Sequence, residues 1–170
     1  MSDDTPKLSW GHINLNVSNL ERSIAFYSKL GFEVFIPAIP YLGMTADSRH
    51  DPLSVGSSTA LGVPSGTTGR ACIMQLGDGF PKLDLTEFSD LQQAPPLTNG
   101  DLGFVRLCLG TEDLAQDVQR LSALAFEFVS DTKTGHAGLA DIAVCMDPDG
   151  ALIELIQIYP ARWQALLGGN

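Results

Sequence analysis

Apolar and polar positions alternate through SWGHINLNV (9–17), which predicts a strand with Ile13, Leu15 and Val17 on one face and His12, Asn14 and Asn16 on the other. LERSIAFYSKL then switches to a helical period, with Ser18 or Asn19 placed to cap it and Gly31 to stop it. FEVFIPAI predicts a second strand. The same succession returns as LGFVRLCLG (102–110), the helical TEDLAQDVQRLSALA with Thr111 or Asp113 as cap, and FEFVSD. RACIMQL (70–76) with KLDLTEF, and DIAVCM (141–146) with ALIELIQ, add two strands to each half. Each half therefore reads β-α-β-β-β, a repeated supersecondary unit.

The halves align in detail. His12 stands eight residues before Leu20, and Arg106 eight before Leu114; LGFEVF corresponds to LAFEFV. Each last strand carries a central acid between apolar neighbours, Asp84 and Glu154. From His12 to Asp84 is 72 residues and from Arg106 to Glu154 is 48, and the surplus of 24 falls in the Gly/Ser/Pro/Thr-rich stretch 40–69, which reads as an inserted loop. The expected organisation is a first module over 8–88, a linker over 89–101, a second module over 102–159 and a tail over 160–170, where Trp163 anchors a short helix. The fold class is α+β.

Arg106 poses a question, because a buried arginine is costly unless paired. Alternation assigns Val105, Leu107 and Leu109 to the core and Phe104, Arg106 and Cys108 to the opposite face, the one His12 also takes. Asp84 shares its face with Thr86 and Phe88, and Glu154 with Leu152 and Ile156. The expectation is a cavity lined by His12, Asp84, Arg106 and Glu154. Phe104, Phe88, Leu152, Ile156 and Ile158 make that face too apolar for open solvent.

Composition narrows the partners. With 170 residues, 44% hydrophobic and 18% charged, the chain suits one domain or two small modules sharing a core. A net charge of −10 argues against nucleic acid and anionic membranes. No apolar run is long enough to span a bilayer, and MSDDTPKLSW has no apolar signal region, so a cytoplasmic location is expected. Cys72, Cys108 and Cys145 sit singly in apolar runs and read as reduced core thiols. GVPSGTTGR lacks the lysine of a phosphate loop, and no nucleophile elbow is present.

HINLNVSNLERSIAFYSKLGFEVF, LDLTEF and above all DPDGALIELIQ (147–157) resemble the vicinal oxygen chelate superfamily, the glyoxalase, bleomycin-resistance and extradiol-dioxygenase group. The resemblance implies a U-shaped mixed sheet around a cavity, with helices on its outer face and a divalent metal held from the first and last strands of each module. The matching positions are His12, Asp84, Arg106 and Glu154. Family enzymes usually have a second histidine where Arg106 stands. Arginine has no lone pair and stays protonated, so it cannot ligate. Its charge about 5 Å from a divalent ion opposes binding by roughly 6–7 kcal/mol at an effective dielectric of about 20. The cofactor expectation is therefore none, or one divalent ion on His12, Asp84 and Glu154.

Three functions follow from this reading. In the first, Glu154 removes a proton next to a carbonyl, Arg106 stabilises the enolate oxygen and His12 is a second acid/base, giving isomerase, epimerase or lyase chemistry. Asp84, Asn14, Phe104, Phe88 and Tyr41 would contact substrate, with Met44 and Arg49 of the insert as further candidates. The second is a metal-dependent glyoxalase- or dioxygenase-like enzyme on His12, Asp84 and Glu154. The third is a non-catalytic binder of a small aromatic or anionic compound. His50 and His136 read as solvated loop residues. The expected partner is a small molecule, with no nucleic acid and no membrane, and a homodimer is compatible.

Overall fold

The structure, a computed structural model, describes residues 7–48, 51–89 and 94–167. The chain divides between Gln93 and Ala94 into two units.

The first unit runs β1 (His12–Asn16), α1 (Leu20–Lys29), β2 (Glu33–Ile36), β3 (Ala38–Ile39), β4 (Met44–Thr45), α2 (Val55–Leu61), β5 (Gly69–Gln75) and β6 (Lys82–Phe88). The second runs β7 (Arg106–Gly110), α3 (Leu114–Ala123), β8 (Glu127–Phe128), β9 (Lys133–Thr134), β10 (Ala140–Met146), β11 (Leu152–Ile158) and α4 (Pro160–Leu167). Their sheets have matching orders, β1-β6-β5-β2 and β7-β11-β10-β8, with β9 paired to β10. In both, the first and last strands pair in parallel and every other pairing is antiparallel.

Registers repeat as well. His12 lies opposite Lys82 and Asn14 opposite Asp84; Arg106 lies opposite Leu152 and Cys108 opposite Glu154. The helices are built alike. Asn19 accepts from the Arg22 amide at 2.8 Å, and Asp113 from the Gln116 amide at 3.0 Å. Both end in the same turn: the Phe32 amide reaches Tyr27 O and the Phe126 amide reaches Leu121 O, each at 3.1 Å. That turn needs a left-handed residue, which Gly31 supplies freely, whereas Ala125 adopts φ +64° at some cost. Leu20, Tyr27 and Phe32 are buried where α1 meets β6 and β2, and Leu114, Leu121 and Phe126 are buried in the second unit, where α3 meets β10 and β11.

Three expectations change. The strand expected from residue 102 begins at Arg106, and Leu102 and Phe104 are 98% and 69% exposed. Alternation continues upstream, yet no partner strand extends to meet it. FEVFIPAI splits, because β2 stays in the main sheet while Ala38–Ile39 turns away to pair with Met44–Thr45. The 40–69 insert is not a bare loop. It holds a 3-10 turn at Pro40–Leu42, strand β4, which pairs back with β3, and α2, which Ser54 caps. Its isolated apolar residues Leu42, Met44 and Leu53 bury with Ile39 against Ala71 and Ile73. Ala71 and Ile73 lie opposite Thr86 and Asp84, so the insert covers the face of the sheet that carries Asp84.

The Asp147–Ala151 turn feeding β11 is built by Asp147, whose Oδ1 accepts from the Asp149 and Ala151 amides at 2.9 and 2.8 Å. Gly150 there has φ +87°, and a Cβ would stand 2.7 Å from Pro96 Cγ. Gly150→Ala is expected to cost about 2–4 kcal/mol, combining left-handed strain with overpacking. Gly66→Ala, at φ +86° with open space around it, should show the strain alone, about 1–2 kcal/mol. Urea unfolding of the two variants separates these contributions.

Candidate functional site

Each unit gathers polar side chains on the face of its parallel strand pair away from the packed helix. In the first, Asp84 is only 1% exposed. Its Oδ1 accepts from Thr86 Oγ1 at 2.9 Å, and Thr86 Oγ1 accepts from Asn14 Nδ2 at 3.2 Å. His12, with a 39% exposed side chain, brings Nε2 to 3.7 Å from Asp84 Oδ2. Tyr41, carried by the insert, lies over the imidazole with ring centroids 6.4 Å apart and planes 28° from parallel. A histidine backed by a buried acid, with an aromatic above it, can orient and exchange a proton with a ligand. Lys82, which the sequence reading did not single out, sits buried beside this group. Its Nζ donates to Gln75 Oε1 at 2.9 Å and lies over the Phe35 and Phe80 rings.

Burial pushes the Asp84 carboxyl above the ordinary range, against the opposing effects of Thr86, Asn14 and His12. Burial, then the Asp84 charge, raises the Tyr41 phenol. A raised carboxyl holds its proton in the native state to higher pH than in the unfolded chain, so stability falls as pH rises between the ordinary value and the raised one. Asp84→Asn keeps an oxygen for Thr86 and cannot ionise. The variant is expected to be more stable than the parent at pH 7, with the advantage shrinking toward pH 3. Urea unfolding at the two pH values checks both the sign and the window.

In the second unit, Arg106 Nε donates to Glu154 Oε2 at 2.7 Å and Nη1 donates to Asn99 Oδ1. Cys108 Sγ lies 3.6 Å from Glu154 Oε1. Glu154 is therefore held at both oxygens with its side chain mostly buried, while Arg106 stays partly open to solvent. Arg106 is thus not in the core, as alternation required. Cys108 is not a core thiol: Cys72 and Cys145 are buried, with thiols pushed up to about 11 chiefly by desolvation, whereas Cys108 is exposed on the Arg106 face. Burial and Glu154 raise the Cys108 thiol, with Arg106 opposing.

The other expected residues scatter. Phe88 packs against the apolar cluster under the insert, where Met44 is buried. Phe104 is exposed ahead of β7. His136 lies exposed in the 3-10 turn His136–Gly138. Arg49 and His50 fall outside the described residues. Trp163 Nε1 donates to Leu139 O at 3.0 Å, tying α4 to the turn before β10. Asn99 escaped the sequence reading, although TNGD is a turn signal just before β7.

The donors do not fit a resident divalent metal. Among the described residues, no group of three or more His, Cys, Asp or Glu side chains could hold an ion. Arg106 occupies one ligand position of the resemblance and takes up Glu154. No described helix is long and apolar enough to cross a membrane.

Known proteins share this architecture. The chain is 26% identical over 163 residues to a lactoylglutathione lyase of Pseudomonas aeruginosa, covering 90% of this chain and 84% of that one. A glyoxalase family protein from Bacillus cereus superposes with a TM-score of 0.70 at 17% identity, covering 93% of this chain and 98% of that one. A trypanothione-dependent glyoxalase I of Leishmania major superposes at 0.56 with 19% identity, covering 92% and 91%. The family model for the Glyoxalase/Bleomycin resistance protein/Dioxygenase superfamily matches residues 9–155, and the chain belongs to that superfamily.

Proposed function

We propose that the protein is an enzyme that removes a proton next to the carbonyl of a small molecule, with Glu154 as base and Arg106 facing the oxygen. The observation that carries this reading is the Arg106–Glu154 pair at 2.7 Å, with Cys108 on the second carboxylate oxygen. As the C–H bond breaks, the proton passes to Glu154 and the electron pair moves onto the carbonyl oxygen. The negative charge thus transfers from the carboxylate to the enolate, and the guanidinium faces one negative charge before and after. Such a fixed cation costs little reorganisation during the step. Return of the proton to the same or a neighbouring carbon gives epimerisation or isomerisation, and loss of a β-substituent gives lyase chemistry. Within the first unit, His12 backed by Asp84 is a second candidate acid/base. A homodimer is the proposed assembly, which sedimentation velocity decides.

The test is incubation in deuterium oxide with a panel of 2-oxo acids, 2-hydroxy aldehydes and β-dicarbonyl compounds, followed by proton NMR. Exchange next to a carbonyl in at least one compound supports the reading. A compound that raises the melting temperature without exchanging would replace it with the binder reading.

A further inference from the structure

We propose that Lys82 anchors a binding site for the carboxylate of a small aromatic acid, with Phe35 and Phe80 packing against the acid's ring. The site lies within the first unit and does not rest on the Glu154 chemistry.

Lys82 opens β6, beside the exposed turn that follows β5, yet it is 7% exposed. From such a position a four-carbon stem can bring its ammonium to water, where lysines ordinarily keep it. Here the side chain is covered instead. Nζ donates to Gln75 Oε1 at 2.9 Å and lies 4.8 and 5.1 Å from the centroids of the Phe35 and Phe80 rings. None of these partners is charged. Glu33 opposite Gln75, Asp78 on the turn and Asp84 two residues further along β6 are the acids nearest to it by register and sequence. None of them forms an ion pair with it among the described residues.

The other buried cation of this unit is treated differently. Arg70 is met by the carboxylates of Glu21 and Glu87. A buried charge without a counter-ion is costly, and one amide and two rings offset that cost only in part. The missing partner is an anion that arrives with the ligand. Phe35 and Phe80 are both exposed, so each has ring surface left to pack an aromatic body. Apolar walls around one placed charge are the usual build of a small-molecule site. Phe80 also has room to yield, because an added side-chain atom at Gly77 or Gly79 of its turn would meet nothing within 4 Å. A single ammonium among apolar groups suits a carboxylate, whereas a phosphate needs further donors.

Binding is read by protein-observed NMR titration with benzoate, its neutral counterpart benzamide, acetate and inorganic phosphate. Benzoate is expected to bind saturably and at least 10-fold tighter than the other three. Lys82→Met keeps the stem and removes the charge. It should weaken benzoate at least 10-fold without lowering the melting temperature, since it removes a buried charge that has no counter-ion. A fall in melting temperature would assign Lys82 to folding and overturn the counter-ion argument. Phe80→Ala should weaken benzoate more than acetate. The proposal is also overturned if benzoate does not saturate, if benzamide or phosphate binds as tightly, or if Lys82→Met binds benzoate as the parent does. The assay needs no turnover, so absence of deuterium exchange in every compound would sink the Glu154 reading and leave this site standing.

Discussion

Glu154→Gln is expected to slow solvent-deuterium exchange into a responsive substrate by about 10²–10⁴-fold, the usual range for losing a positioned general base. The amide keeps an oxygen for Arg106 Nε, so folding and ligand binding should survive. What disappears is the site that receives the proton. On the proposed mechanism, Arg106 offsets the charge of the mostly buried Glu154 carboxylate and then faces the enolate oxygen. In the variant the guanidinium has no carboxylate to neutralise, so a bound anion gains. The effect should therefore fall on kcat, with KM unchanged or lower. An equal loss in kcat/KM carried by KM alone would point to a binding role for Glu154. Arg106→Lys keeps the charge but loses the planar fork that serves Glu154 and Asn99 together, and an intermediate loss is expected.

How far the sequence revealed this arrangement depended on whether a residue's partner was local. The βαβββ repeat was legible because alternation, caps and helix stops are short-range signals, and they recur at equal spacing. The same logic put His12 with Asp84 and Arg106 with Glu154, since strands paired in parallel at matching register keep like faces together. The insert was illegible for the opposite reason. Leu42, Met44 and Leu53 have no period of their own and become a core only against Ala71 and Ile73. Phe88 followed them, because a face that looked free was covered by residues 35 to 46 positions earlier in the chain. Phe104 failed differently: alternation persisted where pairing did not. The question about a costly buried arginine was sound but attached to the wrong residue. Among the described residues Arg70 is the buried arginine, and its parity with Cys72 and Met74 places it on the helix side of the sheet.

Arg70→Met is expected to destabilise the protein by about 3–5 kcal/mol, because it strands a partly buried carboxylate that the guanidinium now neutralises. Arg70 is 3% exposed, and its Nε and Nη2 donate to Glu87 Oε2 at 3.0 and 2.7 Å. Its outer nitrogens clasp both oxygens of Glu21 on the first turn of α1. Glu87 Oε2 also accepts from the Leu20 amide at 2.6 Å, so one carboxylate ties the start of α1 to β6. The second unit does this without charge: Gln157, opposite Asp141 as Glu87 is opposite Arg70, accepts from the Leu114 amide at 3.1 Å. That comparison supplies the rescue. In Arg70→Met with Glu87→Gln, the amide oxygen can still cap α1 and no buried charge loses its partner, the Glu21 carboxylate being solvent-exposed, so the double variant should recover about 1–3 kcal/mol relative to the sum of the singles. Urea unfolding of all four proteins closes the cycle. If the two changes simply add, the ion pair is not what holds α1 to its sheet, and the anchoring must come from Leu20 and Tyr27 packing instead.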